Sequence, residues 1–196
     1  MDSSAAAFLR AHNMHPEQYS LSAMVRDFRL EMDRGLRGEA SSLGMFPAYL
    51  SAGGVPRREE SVLVIDAGGT NLRVARLRCG ADGTLTVEAL RRSRMPGTGA
   101  FIDAEEMFER IAREALVVCG ESRRACISFS YPCEVLPDGD GRMIRLTKEL
   151  RVRGLEGSLI CAPLEAALRR LGAPGERRWR LINDTVGTLL GGHGGV

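Results

Sequence analysis

Lysine is nearly absent from this sequence, since only Lys148 among its 27 basic residues is not an arginine. Asparagine is also scarce and occurs only as Asn13, Asn71 and Asn183. A bias against these residue types makes the survivors candidates for function, although a single residue also survives by chance. Aromatic residues make up 5 % of the chain and include one tryptophan, which leaves little for stacking on nucleic-acid bases. The net charge of +2 gives no further reason to expect a nucleic-acid partner.

Long apolar runs and a secretory signal are missing as well. No stretch approaches the ~20 apolar residues that span a bilayer, and Asp2 followed by the short run AAAFL does not form a signal peptide. We therefore expect a cytoplasmic protein with no membrane partner. The cysteines are odd in number and lack metal-site spacing, which predicts free thiols. They are Cys79, Cys119, Cys126, Cys133 and Cys161.

Apolar residues at helical spacing mark residues 21–37 as a helix. Ser20 or Ser22 can cap its start, and Gly38 can end it. Residues 51–60, SAGGVPRREE, predict a linker. The apolar stripe of the helix consists of Leu21, Met24, Val25, Phe28, Met32 and Leu36.

Strand patterns follow the linker. SVLVID predicts a buried strand, and the alternating runs NLRVARLRC and TLTVEAL predict two antiparallel neighbours. A helix is expected at about 103–118, with Asp103 and Glu106 as a capping box. ACISFS predicts a fourth strand, a second helix begins near Pro163 and ends at Gly172, and WRLIND predicts a fifth strand. The order β-β-β-α-β-α-β indicates an α/β domain with a mixed five-stranded sheet.

The turn DAGGTN between the first two strands carries more polar groups than a hairpin needs. Its glycine pair, 68–69, lets backbone N–H groups approach an anion closely. Thr70 and Asn71 add side-chain donors, Arg73 adds a permanent charge, and Asp66 can hold magnesium through water. The glycine spacing is neither the dinucleotide fingerprint nor the P-loop. A Gly-Gly hairpin turn with incidental polar neighbours remains the alternative.

Further candidates lie near the ends of the later strands. An apolar strand delivers Asn183 and Asp184 to its carboxyl end, which is where ligands bind in α/β sheets. Asp184 can act as a general base, or it can cap the following helix. Thr147 and Lys148 in LTKEL offer donors, although a lone lysine is usually solvated. The segment SFSYPCE, which contains Ser130, is a weaker signal still, and its Tyr131-Pro132 pair indicates by itself only a loop.

Six segments in their order resemble the N-terminal half of the hexokinase family, and the resemblance runs from about residue 20 to residue 190. It implies the actin-like, ribonuclease H-like fold, with two lobes around a cleft and IDAGGTN as the first phosphate loop. Tyr131 stands where a phenylalanine is usual, which is a mild departure. The segments are EMDRGLR (31–37), GMFPAYL (44–50), IDAGGTNLRVARL (65–77), SFSYPCE (128–134), LTKEL (146–150) and INDTVGTLL (182–190).

The resemblance also implies a role for each candidate residue. Asp184 matches the base that takes the proton from the 6-hydroxyl of a hexose. The hexose-contacting positions are Ser130, Thr147, Lys148, Asn183 and Asp184. The positions near the nucleotide phosphates are Asp66, Gly68, Gly69, Thr70, Asn71 and Arg73, with Asp66 reaching Mg²⁺ through water. The implied reaction is the ATP-dependent phosphorylation of a hexose, most readily glucose, as in the first step of glycolysis.

The resemblance divides the chain into parts. We expect 1–50 to be a helical segment of a large lobe, 51–60 a linker, 61–184 the small lobe and 185–196 the start of a truncated large lobe. We expect this chain alone to be inactive, because the family's second phosphate loop and adenosine site lie further on. Its exposed apolar helix would favour self-association, or pairing with a missing C-terminal half. The alternatives are a non-catalytic hexokinase-like module that binds sugar or a partner, and an acetate- or actin-like ATPase that shares only the fold.

Overall fold

The computed structural model describes residues 3–50, 57–147 and 150–193. The chain forms two compact units, Met1–Phe46 and Pro47–Val196. Most of the expected linker falls outside the described residues. The domain boundaries that the family resemblance implies stay a prediction.

The first unit is helical and follows the sequence pattern. Helix α2 begins at Leu21 because the Ser20 hydroxyl accepts the N–H of Ala23 at 3.3 Å, so the capping prediction is confirmed. Gly38 adopts a φ of 72° just beyond the end of the helix. Five of the six side chains of the apolar stripe are exposed, Leu21 at 75 %, and Met32 is half-buried. Self-association through them stays a prediction. The elements are α1 (Ser3–Ala11), a short 3-10 helix (Pro16–Gln18) and α2 (Leu21–Leu36).

The second unit is built on a five-stranded mixed sheet, as the sequence predicted. Strand order in the sheet is β3-β2-β1-β5-β9. The first three strands are antiparallel neighbours, whereas β1, β5 and β9 run parallel. The described strands are β1 (Ser61–Ala67), β2 (Asn71–Cys79), β3 (Leu85–Arg94), β4 (Ile102–Asp103), β5 (Arg124–Phe129), β6 (Cys133–Val135), β7 (Gly141–Met143), β8 (Val152–Arg153) and β9 (Arg178–Ile182).

Two helices pack against this sheet and complete its core. Helix α3 (Ala104–Cys119) lies against β1 and β2, and helix α4 (Cys161–Arg170) lies against α3 and β9. Alternate residues of β1 face this layer and are fully buried, because successive strand side chains point to opposite faces. They are Leu63, Ile65 and Ala67.

The predicted capping box at the start of α3 was wrong. Asp103 occupies the N-cap position, but its side chain makes no capping hydrogen bond. Glu106 instead accepts a hydrogen bond from Arg110, one turn further along, at 2.5 Å. A charge-assisted bond to a neighbouring arginine outcompetes a bond back to a backbone N–H.

Two short strand pairs were not foreseen, one parallel and one an antiparallel hairpin. Strand β4 pairs with β8, and β6 pairs with β7 around the turn PDGDG. The buried carboxylate of Asp140 in this turn accepts backbone N–H groups at the start of α4, including that of Cys161 at 2.7 Å. The turn therefore provides the hydrogen-bond acceptor for the N-terminus of α4.

Candidate functional site

The carboxyl ends of three parallel strands meet at one edge of the sheet. Asp66 of β1 lies opposite Ser128 of β5, which lies opposite Ile182 of β9. The segments that leave these strands are therefore neighbours. Since adjacent strands lie about 4.8 Å apart, the turn after β1 and the residues after β9 are separated by roughly 10 Å.

The turn after β1 is a tight, exposed structure. The N–H of Gly68 donates to the carbonyl of Asn71 at 3.0 Å, and the N–H of Met95 donates to the carbonyl of Thr70 at 2.9 Å. A side chain at position 68 would meet the Asn71 carbonyl at 3.2 Å, so glycine suits the close approach. Thr70 and Asn71 are exposed, and the Asn71 amide donates to the Thr70 hydroxyl at 3.2 Å. The turn thus presents polar groups to solvent next to the strand end.

Asp66 and Arg73 form an ion pair across the β1–β2 hairpin. They are cross-strand partners, and Nη1 of Arg73 lies 2.7 Å from Oδ2 of Asp66. Both side chains are accessible to solvent, at 37 % and 53 % exposure. The sequence suggested a separate role for each residue, and the structure brings them together as a pair.

Asn183 begins the last helix, α5 (Asp184–His193). Its side-chain oxygen accepts the N–H of Thr185 at 3.0 Å and the hydroxyl of the same residue at 2.5 Å. Its backbone carbonyl accepts the N–H of Gly187 at 2.9 Å. Asn183 is therefore the N-cap, and the alternative in which Asp184 caps the helix was wrong.

Asp184 is left half-buried as the first residue of α5. Within the described chain, its carboxylate makes no hydrogen bond to the helix. The side chain is thus held at the carboxyl edge of the sheet without serving as the helix cap.

The remaining predicted sugar-contacting residues differ in how the structure places them. Ser130 follows β5 at the same edge, where its N–H donates to the carbonyl of Ala67 at 3.2 Å. Thr147 lies half-buried in the loop after β7, and no hydrogen bond in the described residues ties it to Ser130 or Asp184. Lys148 lies outside the described residues. The structure therefore groups the turn, Ser130, Asn183 and Asp184.

Tyr131 follows Ser130 and contacts the glycine turn, although the sequence analysis noted it only as a departure from the family pattern. Its hydroxyl donates toward the carbonyls of Gly68 at 3.2 Å and Gly69 at 3.4 Å. The side chain is 1 % exposed and packs against Phe129, with ring centroids 5.0 Å apart. The signal that could have found it is the tyrosine where the resembling family usually has phenylalanine.

The five cysteines are not among the predicted site residues. All five are free, as predicted. Burial raises the pKa of Cys126 to about 11. Burial and the charge of Asp140 together raise the pKa of Cys133 to about 12.

Among the described residues, no three histidine, cysteine, aspartate or glutamate side chains are grouped to bind a metal ion. In the same part of the chain, no helix has the length and apolar character needed to cross a membrane.

The predicted site is an open edge of the sheet. A cavity of about 580 Å³ lies at the opposite, amino-terminal edge and is lined mainly by arginine and glutamate, but it contains none of the predicted site residues. Four of its charged lining side chains form the ion pairs Arg76–Glu88 and Arg124–Glu60.

Comparison with known proteins gives consistent matches. The hexokinase family model matches residues 7–193. Mouse hexokinase-3 is 32 % identical over 209 residues, covering 97 % of this chain and 22 % of the mouse protein. Hexokinase-2 of Candida albicans is 29 % identical, covering 89 % of this chain and 38 % of its own length.

Solved structures agree on the fold. A hexokinase from Schistosoma mansoni complexed with glucose superposes with a TM-score of 0.71 at 24 % identity, covering 86 % of this chain and 38 % of that chain. The expected actin-like sugar kinase fold is thereby confirmed. The chain spans between 22 % and 38 % of the length of these relatives.

Proposed function

Because this chain belongs to the hexokinase family, we propose that it supplies the first phosphate loop and the general base of an ATP-dependent hexose kinase, with glucose as the preferred hexose. The observation that carries this proposal is the shared edge of the sheet. The turn at 68–71 and Asp184 follow two strands that are two positions apart, roughly 10 Å from each other. This gap has room for a sugar hydroxyl and the phosphoryl group that it attacks.

The exposed turn fits the phosphates of magnesium-ATP. Its accessible Thr70 and Asn71 side chains and the guanidinium of Arg73 can donate to phosphate oxygens. A phosphate that engages Arg73 competes with Asp66 for it, and the released carboxylate can then hold hydrated Mg²⁺. Bound magnesium supplies neutralisation of the charge on the transferring phosphoryl group.

The sugar side of the site uses Asp184 as its base. Its carboxylate would accept the proton of the 6-hydroxyl as that oxygen attacks the terminal phosphorus of ATP and the bond from that phosphorus to ADP, the leaving group, breaks. This proton transfer contributes ~10²–10⁴ in rate. Ser130, Asn183, Thr147 and Lys148 would hold the other hydroxyls and so fix the attacking oxygen in line. Although the side-chain oxygen of Asn183 is committed to the helix cap, its amide nitrogen can still donate.

Ligand binding to the 196-residue chain tests the two halves of this proposal separately. Magnesium-ATP should shift the backbone NMR signals of 68–71, and glucose should shift those of Ser130 and Asn183. Arg73→Ala should weaken the ATP effect and spare the glucose effect. Arg78→Ala is the matched control, because Arg78 lies at the far end of the same strand. Equal weakening by both variants would refute a specific role for the turn.

The catalytic step is tested by Asp184→Asn in a longer protein that carries this chain. Turnover should fall by ~10²–10⁴ while sugar affinity stays within several-fold, because the amide still hydrogen-bonds a hydroxyl. Asp82→Asn, in an exposed turn distant in sequence from the site, serves as the control. Near-normal turnover of Asp184→Asn would refute the assignment. Sugar binding without turnover in the unmodified longer protein would favour the non-catalytic module.

A further inference from the structure

Tyr131 connects the loop that follows β5 to the glycine turn that follows β1. Its hydroxyl faces two consecutive carbonyl groups, those of Gly68 and Gly69. A carbonyl only accepts, so the tyrosine is the donor of this contact. Because the ring is buried against Phe129, the hydroxyl has a defined position beneath the turn.

The contact with Tyr131 also determines the direction in which the neighbouring N–H groups point. In a planar trans peptide, the C=O and the N–H point in opposite directions. When the carbonyls of Gly68 and Gly69 face Tyr131, the N–H groups of the next residues, Gly69 and Thr70, face away from it. Glycine otherwise permits these peptide planes to rotate at little cost.

We propose that Tyr131 is a positioning residue that fixes the two peptide planes of the glycine turn, so that the N–H groups of Gly69 and Thr70 are preset as a pair of phosphate donors. This inference rests on the proposed function of the turn. Two adjacent backbone N–H groups that face the same way form an anion-binding concavity. Because the turn is already ordered, phosphate binding does not carry the entropic cost of ordering a flexible Gly-Gly turn.

The surroundings of Tyr131 support a permanent donor. Burial raises the pKa of Tyr131 to about 12, so its hydroxyl keeps its proton throughout the neutral range. The neighbouring N–H of Ser130 donates to the carbonyl of Ala67 at 3.2 Å, so the loop holds three successive carbonyls of the turn region. The sugar-side loop and the phosphate-side turn are thereby one connected unit.

The test is Tyr131→Phe in the 196-residue chain, which removes one hydroxyl and keeps the buried ring. Amide hydrogen exchange measured by NMR should become roughly two- to tenfold faster at Gly68 and Met95, whose N–H groups close the turn, as expected for one lost hydrogen bond. Gly80, in the turn between β2 and β3, should be unchanged. Tyr19→Phe is the matched control, since Tyr19 also donates to a backbone carbonyl, that of Asn13.

A second measurement, of tripolyphosphate binding, tests whether the positioned turn binds phosphate more tightly. Inorganic tripolyphosphate with magnesium should shift the amide signals of Gly69 and Thr70, and Tyr131→Phe should bind it roughly two- to tenfold more weakly. The shift of Asn183 with glucose should be the same in both proteins. If Tyr131 contributed only to stability, Tyr131→Phe would accelerate exchange throughout β1. The tripolyphosphate affinities of the variant and the unmodified chain would then be equal.

The outcomes separate this inference from the proposed function. Unchanged exchange at Gly68 and Met95, or equal acceleration throughout β1, would overturn the positioning role. Equal tripolyphosphate affinity of the two proteins would overturn its part in binding. Faster exchange confined to the turn, with no tripolyphosphate binding by either protein, would support the positioning of the peptide planes and refute the proposed function of the turn.

Discussion

The buried ion pair between Glu165 of α4 and Arg177 allows a quantitative test of how the second unit is held together. Nη1 of Arg177 lies 3.3 Å from the carboxylate, and the two side chains are 0 % and 9 % exposed. The same carboxylate accepts the indole N–H of Trp179 at 2.8 Å. Glu165→Gln keeps the size of the side chain and removes its charge, which leaves a buried guanidinium without a counterion.

Removing one partner of a buried pair costs about 3–5 kcal/mol in the free energy of unfolding, because the remaining charge is left uncompensated. A domain of this size loses about 2–4 °C of Tm per kcal/mol. We therefore expect Glu165→Gln to lower Tm by roughly 6–20 °C. The total stability of a domain is only ~5–15 kcal/mol, so the variant should fold marginally.

Far-UV circular dichroism during urea and thermal unfolding measures the effect, with Glu106→Gln as the matched control. Glu106 pairs with Arg110 at 2.5 Å on the surface of α3, where such a pair contributes only about 0.3–0.5 kcal/mol. Adding Arg177→Met to Glu165→Gln should recover more than half of the loss, since no buried charge then remains. A loss below about 1 kcal/mol for Glu165→Gln, or no recovery in the double variant, would refute the reasoning.

Three further predictions concern single groups. Hydrogen bonds from the backbone and side chain of Ser42 lower the pKa of Glu31 from 4.5 to about 2. The stability contributed by this carboxylate is therefore full above about pH 4.5 and lost as the pH falls toward 2; NMR titration of Glu31 with a midpoint near 4.5 would contradict this. Cys126 and Cys133 have raised pKa values, so native protein at pH 8 should react with iodoacetamide far more slowly than unfolded protein, as mass spectrometry can show. Asp140→Asn should destabilise the second unit by about 1–3 kcal/mol, because its buried carboxylate accepts backbone N–H groups at the start of α4; an unchanged urea midpoint would count against this role.

Local signals explain why the main elements could be predicted from the sequence. The alternation in NLRVARLRC is a property of neighbouring residues, and it gives β2 wherever a sheet is available. Helix α2 likewise has its N-cap, Ser20, and the glycine that follows its end, Gly38, within its own segment of sequence. The mixed sheet followed from the order of such elements, because connection rules leave few ways to arrange them.

Contacts between distant segments explain what could not be predicted. In the charged run at 176–180, Arg177 has the appearance of a solvated side chain, and only the fold brings it to Glu165 of α4. The predicted capping box at Asp103 did not form because Glu106 bonds to Arg110 instead. The sequence motif for a capping box does not take such alternative partners into account. The hydroxyl of Tyr131 reaches a glycine that is 63 positions earlier in the chain.

The start of α5 shows how one structural detail supports a chemical role. Aspartate and asparagine cap helices about equally well, so the pair Asn183-Asp184 could have divided its tasks in either order. A capping aspartate would commit its carboxylate to backbone N–H groups and would be a weaker acceptor for a substrate proton. Because Asn183 takes the cap by bonding to Thr185, the carboxylate of Asp184 remains for other chemistry. The first turn of α5 then holds that carboxylate at the edge of the sheet where Ser130 and the glycine turn also lie, which is the arrangement that the proposed proton transfer requires.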